Sequence, residues 1–446
     1  MQVRKLKLNQ IVEARCADIV SEGLGISHIL SSEYVPLTGF VLGVMPGETF
    51  LARITRVKSN HFHAVILPIA DVPDQWIGAL HTRDEISHHE FAIFDVSAAR
   101  IEPACKIFTR CGSCKLLHMS YENSLALKKK WLMTQLERNH IAAPDINVVE
   151  SPRKTHYRNH VQIHINKHGE RGFYAPYSYT TRAFPDKGCL LFHQDWVDAI
   201  FPEELQIERC VRARIDYVSP NTSVWSLYSR EEKSSTFTYS VEYPEGSITR
   251  VTIPNSAFFQ TNTSIIPLWL SEVNNLVKNC SHKSGKLKIL ELFSGFGFIT
   301  RSISLMREIE VLGIDILKPV DLDQIILGNN VYDSTVSDHY KDYYLQIDLT
   351  ILNKAKENDL ERIRSFNPDI ILINPPRSGF LPQQMQFLFQ TIYKENKVPI
   401  IYSSCNGATF ARDCVTLRAN GYNLAKLTLF DFFPWTSHYE IIGMFS

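Results

Sequence analysis

The 446-residue sequence lacks an apolar run long enough to span a bilayer, which takes about 20 consecutive residues. Its N-terminus lacks the hydrophobic segment of a secretory signal. The nine cysteines are odd in number and unevenly spaced, which argues against a framework of disulfide bonds. There is also no excess of one charge, because 47 Lys and Arg residues are matched by 47 Asp and Glu residues. We therefore expect a cytoplasmic protein without a membrane span, whose net charge indicates no particular partner.

Positive charge is nevertheless concentrated in one part of the chain. Residues 101–190 contain fourteen Lys or Arg residues against seven Asp or Glu residues. Lys128-Lys129-Lys130 and Arg153-Lys154 belong to this stretch, and Tyr157 lies close to the second group. Basic groups interleaved with aromatic rings suit a phosphate chain with stacked bases. The alternative is a set of solvated helix faces.

The length and the local patterns predict a multidomain α/β protein in three parts. Residues 1–72 alternate short strand-like runs with Gly and Pro turns, which is typical of a small β-barrel. Residues 73–255 are mixed, with a helix predicted over residues 120–140 and strand-like pieces after it. In residues 256–446 apolar strands alternate with helices, which predicts an α/β domain with a mostly parallel sheet.

A glycine turn follows the first strand of this α/β domain. Gly295 and Gly297 come directly after the apolar run that ends at Leu292, and such a turn lets a ligand approach the backbone. Asp315 ends the next apolar run, where a carboxylate can accept hydrogen bonds from ribose hydroxyls. Asp348 ends a later run and is predicted to lie near an adenine amine. For each Asp the alternative is a helix N-cap.

Two later segments carry residues suited to covalent catalysis. Cys405 stands at the end of a strand and just before a helix, whose N-terminal amides are expected to stabilise a thiolate. Glu440 opens an apolar strand, where its carboxyl group is expected to be partly desolvated. Carbon 5 of uracil becomes nucleophilic when a thiolate attacks carbon 6, and a base must later remove the carbon-5 proton. One Cys, one base and a sulfonium methyl donor would complete this chemistry. The alternatives are a buried, inert Cys405 and an exposed Glu440 at a strand end.

These segments resemble, in their order along the chain, the motifs of the RNA uracil-5 methyltransferase family. The motifs are Phe258-Phe259-Gln260-Thr261-Asn262, Glu291 to Gly297, Asn374-Pro375-Pro376-Arg377-Ser378-Gly379, Ser404-Cys405-Asn406, and Phe433-Pro434 with His438 and Glu440. The resemblance implies a Rossmann-like class I methyltransferase domain that uses S-adenosyl-L-methionine. It further implies that Cys405 is the nucleophile and Glu440 the base. The cofactor and target-base residues are then predicted to be Gln260, Phe293, Gly295, Gly297, Asp315, Asp348 and Asn374.

The N-terminal half resembles one branch of this family. Residues 1–72 are similar to a TRAM domain, an OB-like RNA-binding barrel. In the α+β middle domain, Cys105, Cys111, Cys114 and Cys189 resemble the four ligands of the [4Fe–4S] cluster in the ribosomal branch. Structural zinc with four Cys ligands is the alternative. The resemblance implies a monomeric enzyme that methylates 23S rRNA.

Asn374 stands where the family usually has Asp, and its amide oxygen can still accept a hydrogen bond from uracil N3–H. Two alternative functions remain. One is a methyltransferase acting on another RNA base, because Asn-Pro-Pro also occurs in enzymes that modify exocyclic amines. The other is a diverged RNA-binding paralogue with little or no catalysis.

Overall fold

None of the helices that the structure describes is both long and apolar enough to cross a membrane. Phe258 and Phe296, which belong to two of the motifs, lie outside the described residues. The computed structural model describes residues 4–34, 36–76, 90–185, 188–192, 212–219, 222–227, 236–242, 248–254, 259–280, 285–295, 297–304, 306–316, 340–392 and 397–446.

A closed β-barrel of five strands occupies the N-terminal part, as predicted. The strands are β1 (Ile11–Val20), β2 (Leu24–Ile29), β3 (Thr38–Leu42), β4 (Thr49–Val57) and β5 (His61–Ile66). They follow the order β1-β2-β3-β5-β4, in which β3 and β5 run parallel. Burial alternates along β5, so every second side chain points into the barrel. A closed five-stranded barrel of this kind is OB-like.

The barrel packs against the segment that follows it. Phe91 and Phe108 belong to the same hydrophobic core as Phe50 and Phe62 of the barrel. Glu48, in the turn before β4, accepts two hydrogen bonds of 2.6 Å from the buried guanidinium of Arg100. The barrel is therefore fixed to the rest of the chain by shared apolar contacts and by a buried, bidentate ion pair.

Among the described residues, the elements between the barrel and residue 255 include one long helix and eight strands. The helix α1 begins after Ser120, whose hydroxyl accepts from the Asn123 amide, and it buries Trp131, Leu132 and Leu136. The five strands β11-β10-β7-β8-β9 form a sheet, and β12 and β13 pair with each other. The elements are α1 (Tyr121–Arg138), β6 (Ile146–Val149), β7 (His160–Ile165), β8 (Arg171–Tyr174), β9 (Thr181–Ala183), β10 (Arg212–Ser219), β11 (Thr222–Leu227), β12 (Thr236–Glu242) and β13 (Ile248–Pro254).

The C-terminal part contains an eight-stranded sheet in the order β16-β15-β14-β17-β18-β20-β19-β6. Strands β14 to β18 are parallel, whereas β20 is antiparallel to both of its neighbours. The elements are α2 (Ile266–Cys280), β14 (Leu287–Leu292), α3 (Phe298–Ser304), β15 (Ile309–Asp315), β16 (Tyr340–Gln346), α4 (Glu357–Phe366), β17 (Ile370–Ile373), α5 (Pro382–Phe387), β18 (Ile400–Ser404), α6 (Gly407–Ala419), β19 (Leu424–Phe430) and β20 (Glu440–Phe445).

Both faces of this sheet are covered by apolar packing. Ile289 and Leu290 are adjacent in β14 and fully buried, yet they belong to two separate hydrophobic cores. This is expected because successive side chains of a strand point to opposite faces. A parallel sheet buried on both faces reads as continuous apolar runs, which is how these strands appear in the sequence. The prediction of a mostly parallel α/β domain is confirmed.

Candidate active site

The carboxyl ends of the parallel strands meet at one edge of the large sheet, where ligands bind in open α/β folds. Strand β20 runs antiparallel to β18, with Ser404 paired to Ile441. Glu440, the first residue of β20, is therefore the neighbour of Cys405 at this edge. The fold thus brings the two residues predicted for covalent catalysis together. Four predicted residues follow or end parallel strands here, namely Phe293, Asp315, Asn374 and Cys405.

The glycine turn after β14 has the backbone conformation that a close ligand requires. Phe293, Gly295 and Gly297 have φ angles of 59°, 54° and 71°. The Gly295 amide donates to Asp315 Oδ2 at 2.9 Å, so the acid at the end of β15 is held beside the turn. A Cβ atom on Gly295 would meet no atom within 4 Å. The turn therefore borders open space in which a ligand can contact the backbone.

Asp348 lies after β16 and caps the 3₁₀ turn that follows. Its Oδ1 accepts hydrogen bonds from the amide and the hydroxyl of Thr350, at 2.8 and 2.6 Å. These bonds lower the pKa of Asp348. The capping alternative is therefore realised in the structure, while a contact between Asp348 and an adenine amine stays a prediction.

Two side-chain amides were predicted to line the site. Gln260 Oε1 is buried and accepts no hydrogen bond from the described residues. Asn262, two residues further on, donates to the Phe432 carbonyl at 3.1 Å, which ties this segment to the loop before β20. The backbone N–H of Asn374 donates to the Leu292 carbonyl at 3.2 Å, which holds Asn374 beside the end of β14. A buried acceptor without a partner is unfavourable unless a ligand pairs with it.

Cys405 lies between the end of β18 and the start of α6. The side chain of Asn406 caps α6 by accepting from the Ala408 amide at 3.0 Å. The sequence led us to expect that helix amides stabilise a thiolate at this place. Burial and the nearby Glu440 instead raise the pKa of Cys405 to about 11, with Arg377 opposing them. At neutral pH the thiol form therefore dominates.

Glu440 is only 5% exposed, although it carries a carboxyl group. Burial raises its pKa to about 8, and the positive charge of Arg377 opposes this shift. The prediction that this carboxyl is desolvated is confirmed, and the alternative of an exposed strand-end Glu is wrong. A carboxyl group with a pKa near the working pH can both accept and release a proton.

The positive charge of Arg377 favours the ionised forms of both Cys405 and Glu440, and hydrogen bonds join the Arg377 loop to the start of α6. The Arg377 carbonyl accepts from Asn406 Nδ2 at 3.2 Å and from Thr409 Oγ1 at 3.3 Å. Further along the loop, the Phe380 amide donates to the buried carboxylate of Asp413 at 2.9 Å. These bonds hold Arg377 next to the start of α6, which follows Cys405.

The sequence motif that contains Arg377 indicated no role for this residue. Nor did the sequence indicate the pair of Tyr402 and Asp413, in which the hydroxyl donates to the carboxylate at 2.5 Å. The signal for Arg377 was its place after Asn374-Pro375-Pro376, where a cation follows a strand end. No signal in the sequence distinguished Tyr402 or Asp413 from ordinary strand and helix residues.

The four cysteines of the predicted cluster line one small cavity between residues 105–114, which follow the barrel, and β8. Burial raises the pKa of Cys114, and the charges of Cys189, Cys111 and Cys105 raise it further, so the four sulfur atoms are neighbours. Within the described part of the chain, no group of three or more His, Cys, Asp or Glu residues is close enough to hold a metal ion directly. A cluster is therefore not shown.

An open α/β sheet with a glycine turn and an acid at neighbouring strand ends is typical of folds that bind nucleotide-like cofactors, methyltransferases among them. Comparison with a solved structure shows which of these folds it is. The Pyrococcus abyssi tRNA (uracil-54, C5)-methyltransferase, crystallised with S-adenosyl-L-homocysteine, superposes with a TM-score of 0.62 at 18% identity. The match covers 97% of this chain and 100% of that one. At this identity the likeness shows the fold.

Sequence comparisons give the family. The model of the tRNA (uracil-5-)-methyltransferase family matches residues 247–445. An uncharacterized RNA methyltransferase of Leptospira interrogans is 31% identical over 362 residues, which cover 78% of this chain and 81% of that protein. A Listeria innocua relative, also an uncharacterized RNA methyltransferase, is 23% identical over 99% of both chains. The chain belongs to the RNA uracil-5 methyltransferase family, and it is an S-adenosylmethionine-dependent RNA methyltransferase.

Proposed function

We propose that this enzyme methylates carbon 5 of one uridine in 23S rRNA through a covalent bond between Cys405 and carbon 6, with Glu440 as the base. The observation that carries the proposal is the placement of Cys405 beside Glu440 at the edge that also holds the glycine turn. Nucleophile, base and candidate cofactor turn thus share one site, as the reaction requires.

The chemistry begins when the Cys405 thiol loses its proton to water. Its sulfur bonds to carbon 6 of the uracil, and the electron pair of the C5–C6 double bond moves to carbon 5. S-adenosylmethionine supplies a methyl group on a sulfonium, whose C–S electron pair stays with the departing thioether. Glu440 then takes the carbon-5 proton. The electron pair of that C–H bond restores the double bond, and the bond to Cys405 breaks.

Arg377 is suited to support both residues. Its charge favours the thiolate of Cys405 and the carboxylate of Glu440, the two ionised forms that the reaction uses. Without this cation, two anions would have to form side by side in a buried place, which is unfavourable. We assign Arg377 the role of stabilising the ionised pair.

The remaining polar residues of the edge are assigned to the two substrates. Asp315, held beside Gly295, would accept hydrogen bonds from the ribose of the cofactor. The half-buried Asn374 would accept from uracil N3–H through its amide oxygen. Gln260 offers a buried oxygen without a partner among the described residues, which suits a donor on the target base or cofactor. Phe293 and Gly297 would line the cofactor, and Asp348 would approach its adenine.

We further propose that Cys105, Cys111, Cys114 and Cys189 hold a [4Fe–4S] cluster. Four thiols lining one cavity are the donor set that such a cluster needs. Structural zinc held by the same four thiols is the alternative, and the metal content of the purified protein distinguishes the two. When bound, the cluster would join two distant segments of the chain, and the methylation itself needs no redox step.

The OB-like barrel and the basic residues 101–190 would bind the rRNA, and the enzyme would act as a monomer. A uracil inside a stack cannot present carbon 6 to Cys405, so the target nucleotide would be flipped out. A covalent attack on carbon 6 also distinguishes this proposal from methylation of an exocyclic amine.

The test is transfer of a tritiated methyl group to 23S rRNA from a strain that lacks this enzyme, with unmodified tRNA as the comparison. We expect one methyl group per 23S rRNA, recovered as 5-methyluridine. Transfer to tRNA alone would refute the rRNA assignment. Binding of rRNA without any methyl transfer would instead support a diverged RNA-binding paralogue.

A further inference from the structure

A second site for RNA is indicated by a cleft between the barrel and the loop that follows β8. The cleft has a volume of about 850 Å³, and its walls include Arg56 of β4, Lys115, and the three tyrosines Tyr174, Tyr177 and Tyr179. This volume lies near the upper end of the range of roughly 300–1,000 Å³ for ligand pockets. None of the described residues that line it is acidic.

Aromatic rings from the barrel and from the loop meet along this cleft. The ring of Tyr177 lies 4.3 Å from that of His63 in β5, and Phe40 in β3 stacks on His63 at 5.6 Å. Tyr179 contacts Tyr174 at 5.6 Å through an edge-to-face arrangement. These contacts leave much of both loop rings uncovered, since Tyr177 is 45% and Tyr179 is 90% exposed. Exposed ring faces are suited to stacking with nucleobases.

The backbone of the loop after β8 is strained at Tyr177. Its φ angle is 56°, a left-handed conformation that is costly for a residue with a bulky side chain. Such strain persists only where the surroundings hold it, and it clusters at binding and active sites. Here the conformation places the Tyr177 ring against His63 of the barrel, so the loop and the barrel form one aromatic surface.

The charges around the aromatic surface favour an anionic chain. Arg56 and Lys115 line the cleft. Burial lowers the pKa of His63, and the nearby charges of Arg56 and Lys58 lower it further. Glu22 lies near both Tyr177 and Lys115. Its negative charge adds to burial in raising the pKa of Tyr177, and it opposes the lowering of the pKa of Lys115 by burial. Of these described residues, three are cationic and one is acidic, which suits a phosphate backbone that passes beside the rings.

The cleft also leads towards the active site. Lys115 lines the cleft, and the adjacent Leu116 amide donates to the Trp435 carbonyl at 3.0 Å in the loop before β20. Burial, Arg377 and Lys115 together lower the pKa of His438 to about 4, which places Lys115 near a residue two positions before Glu440. A strand of RNA with its target base at Glu440 would therefore pass Lys115 as it enters the cleft.

We propose that this cleft binds unpaired nucleotides next to the target uridine, with bases stacked on Tyr177 and Tyr179 and phosphates paired with Arg56 and Lys115. The inference rests on the proposed function and adds to it that the RNA beside the target is single-stranded. Double-stranded RNA is the competing ligand, but it is bound by its shape and backbone, and its bases are not free to stack on protein rings.

The test uses a ten-nucleotide single-stranded RNA that carries one 2-aminopurine, and a duplex of the same length. We expect the wild-type protein to bind the strand more tightly than the duplex and to quench the 2-aminopurine by stacking. Tyr177→Ala and Tyr179→Ala should each weaken binding of the strand by about fivefold or more. Tyr177→Phe and Tyr179→Phe retain the ring and should bind like wild type. Unchanged affinity in both Ala variants, or equal binding of strand and duplex, would overturn the proposal.

Three further variants separate this inference from the proposed function. Arg56→Ala should weaken binding and reduce the slope of log affinity against log salt by about 0.7, the contribution of one phosphate contact on a single strand. Arg362→Ala, an exposed cation on α4, should leave affinity and slope unchanged. Cys405→Ala should bind the strand like wild type, so a failure of the covalent mechanism would not alter this result. Equal slopes for Arg56→Ala and Arg362→Ala would count against the phosphate contact.

Discussion

The ammonium group of Lys128 lies 2.6 Å from a carboxylate oxygen of Asp431, and both side chains are completely buried. Lys128 belongs to α1, whereas Asp431 follows β19 and begins the loop that leads to Glu440. The same ammonium donates to the Phe433 carbonyl at 3.1 Å. This pair therefore connects α1 to the loop that leads to the proposed base.

Breaking this pair should destabilise the enzyme strongly. Lys128→Met leaves the buried carboxylate of Asp431 without its cation, which costs about 3–5 kcal/mol in comparable cases. Lys130→Met is the matched control, because Lys130 lies on the same helix and pairs with Asp18 at the surface. Exposed pairs contribute about 0–1 kcal/mol. Urea unfolding should show a large loss for Lys128→Met and little loss for Lys130→Met, and equal losses would contradict this role for the buried pair.

The proposed nucleophile and base should fail at different stages when they are replaced. Cys405→Ala cannot form the bond to carbon 6, so it should give neither product nor covalent RNA complex. Glu440→Gln keeps the shape but loses the base, so it should methylate and then stall with RNA attached. On a denaturing gel, a retarded band should appear for Glu440→Gln and be absent for Cys405→Ala.

Cys414 provides the control for this experiment. It is 2% exposed and belongs to the core of the domain, so it is a packing residue. Cys414→Ala should keep methyl transfer in the folded fraction. Normal turnover by Cys405→Ala would show that Cys405 is not the nucleophile.

Arg377 should control the reactivity of Cys405. Its removal should raise the pKa of Cys405, because Arg377 opposes the effects of burial and of Glu440. A rise of about one unit reduces the thiolate fraction about tenfold at a pH below both values. Alkylation of Cys405 by iodoacetamide at pH 8, followed by peptide mass spectrometry, should therefore slow about tenfold in Arg377→Ala. Arg377→Lys keeps a charge and should react faster than Arg377→Ala, and equal rates in all three proteins would refute the assignment.

The elements of the fold could be predicted because their signals are local. The apolar run of β14, the glycine turn after it and the helical spacing in α1 are visible within a few residues of sequence. Local sequence could not reveal that Cys405 and Glu440 are neighbours, since this depends on the antiparallel pairing of β20 with β18. The motif resemblance supplied both residues, but only the pairing of the strands explains why they meet.

Long-range polar pairs could not be predicted from the sequence. Lys128 was read as part of a basic surface run, whereas the fold buries it against Asp431, some 300 positions later. The pKa of Cys405 was also misjudged, because the start of α6 indicated a stabilised thiolate and the burial next to Glu440 could not be foreseen. Both cases depend on desolvation, which is set by the packing of distant segments.

The four cysteines should prove to be ligands of one iron–sulfur cluster. Protein purified without oxygen should be brown and contain iron and sulfide, and Cys189→Ala should lose both and become less stable. Cys280→Ala is the control, because Cys280 is also half-buried but lies in α2, outside the cavity. It should retain the wild-type iron content. Stoichiometric zinc without iron in anaerobic wild-type protein would refute the cluster.

Glu291 should make stability depend on pH. It is fully buried in β14, where Thr300 donates to its carboxyl at 2.7 Å, and burial raises its pKa to about 8. In the unfolded chain its pKa is about 4.3. The folded state thus binds the proton more tightly, so the stability that it contributes is present below about pH 4 and is lost as the pH rises through about 8. Glu291→Gln resembles the protonated form at every pH. The excess of its melting temperature over that of wild type should be small at pH 5 and should grow by a few degrees at pH 9. Equal melting temperatures at both pH values would show that this carboxyl ionises normally in the folded protein.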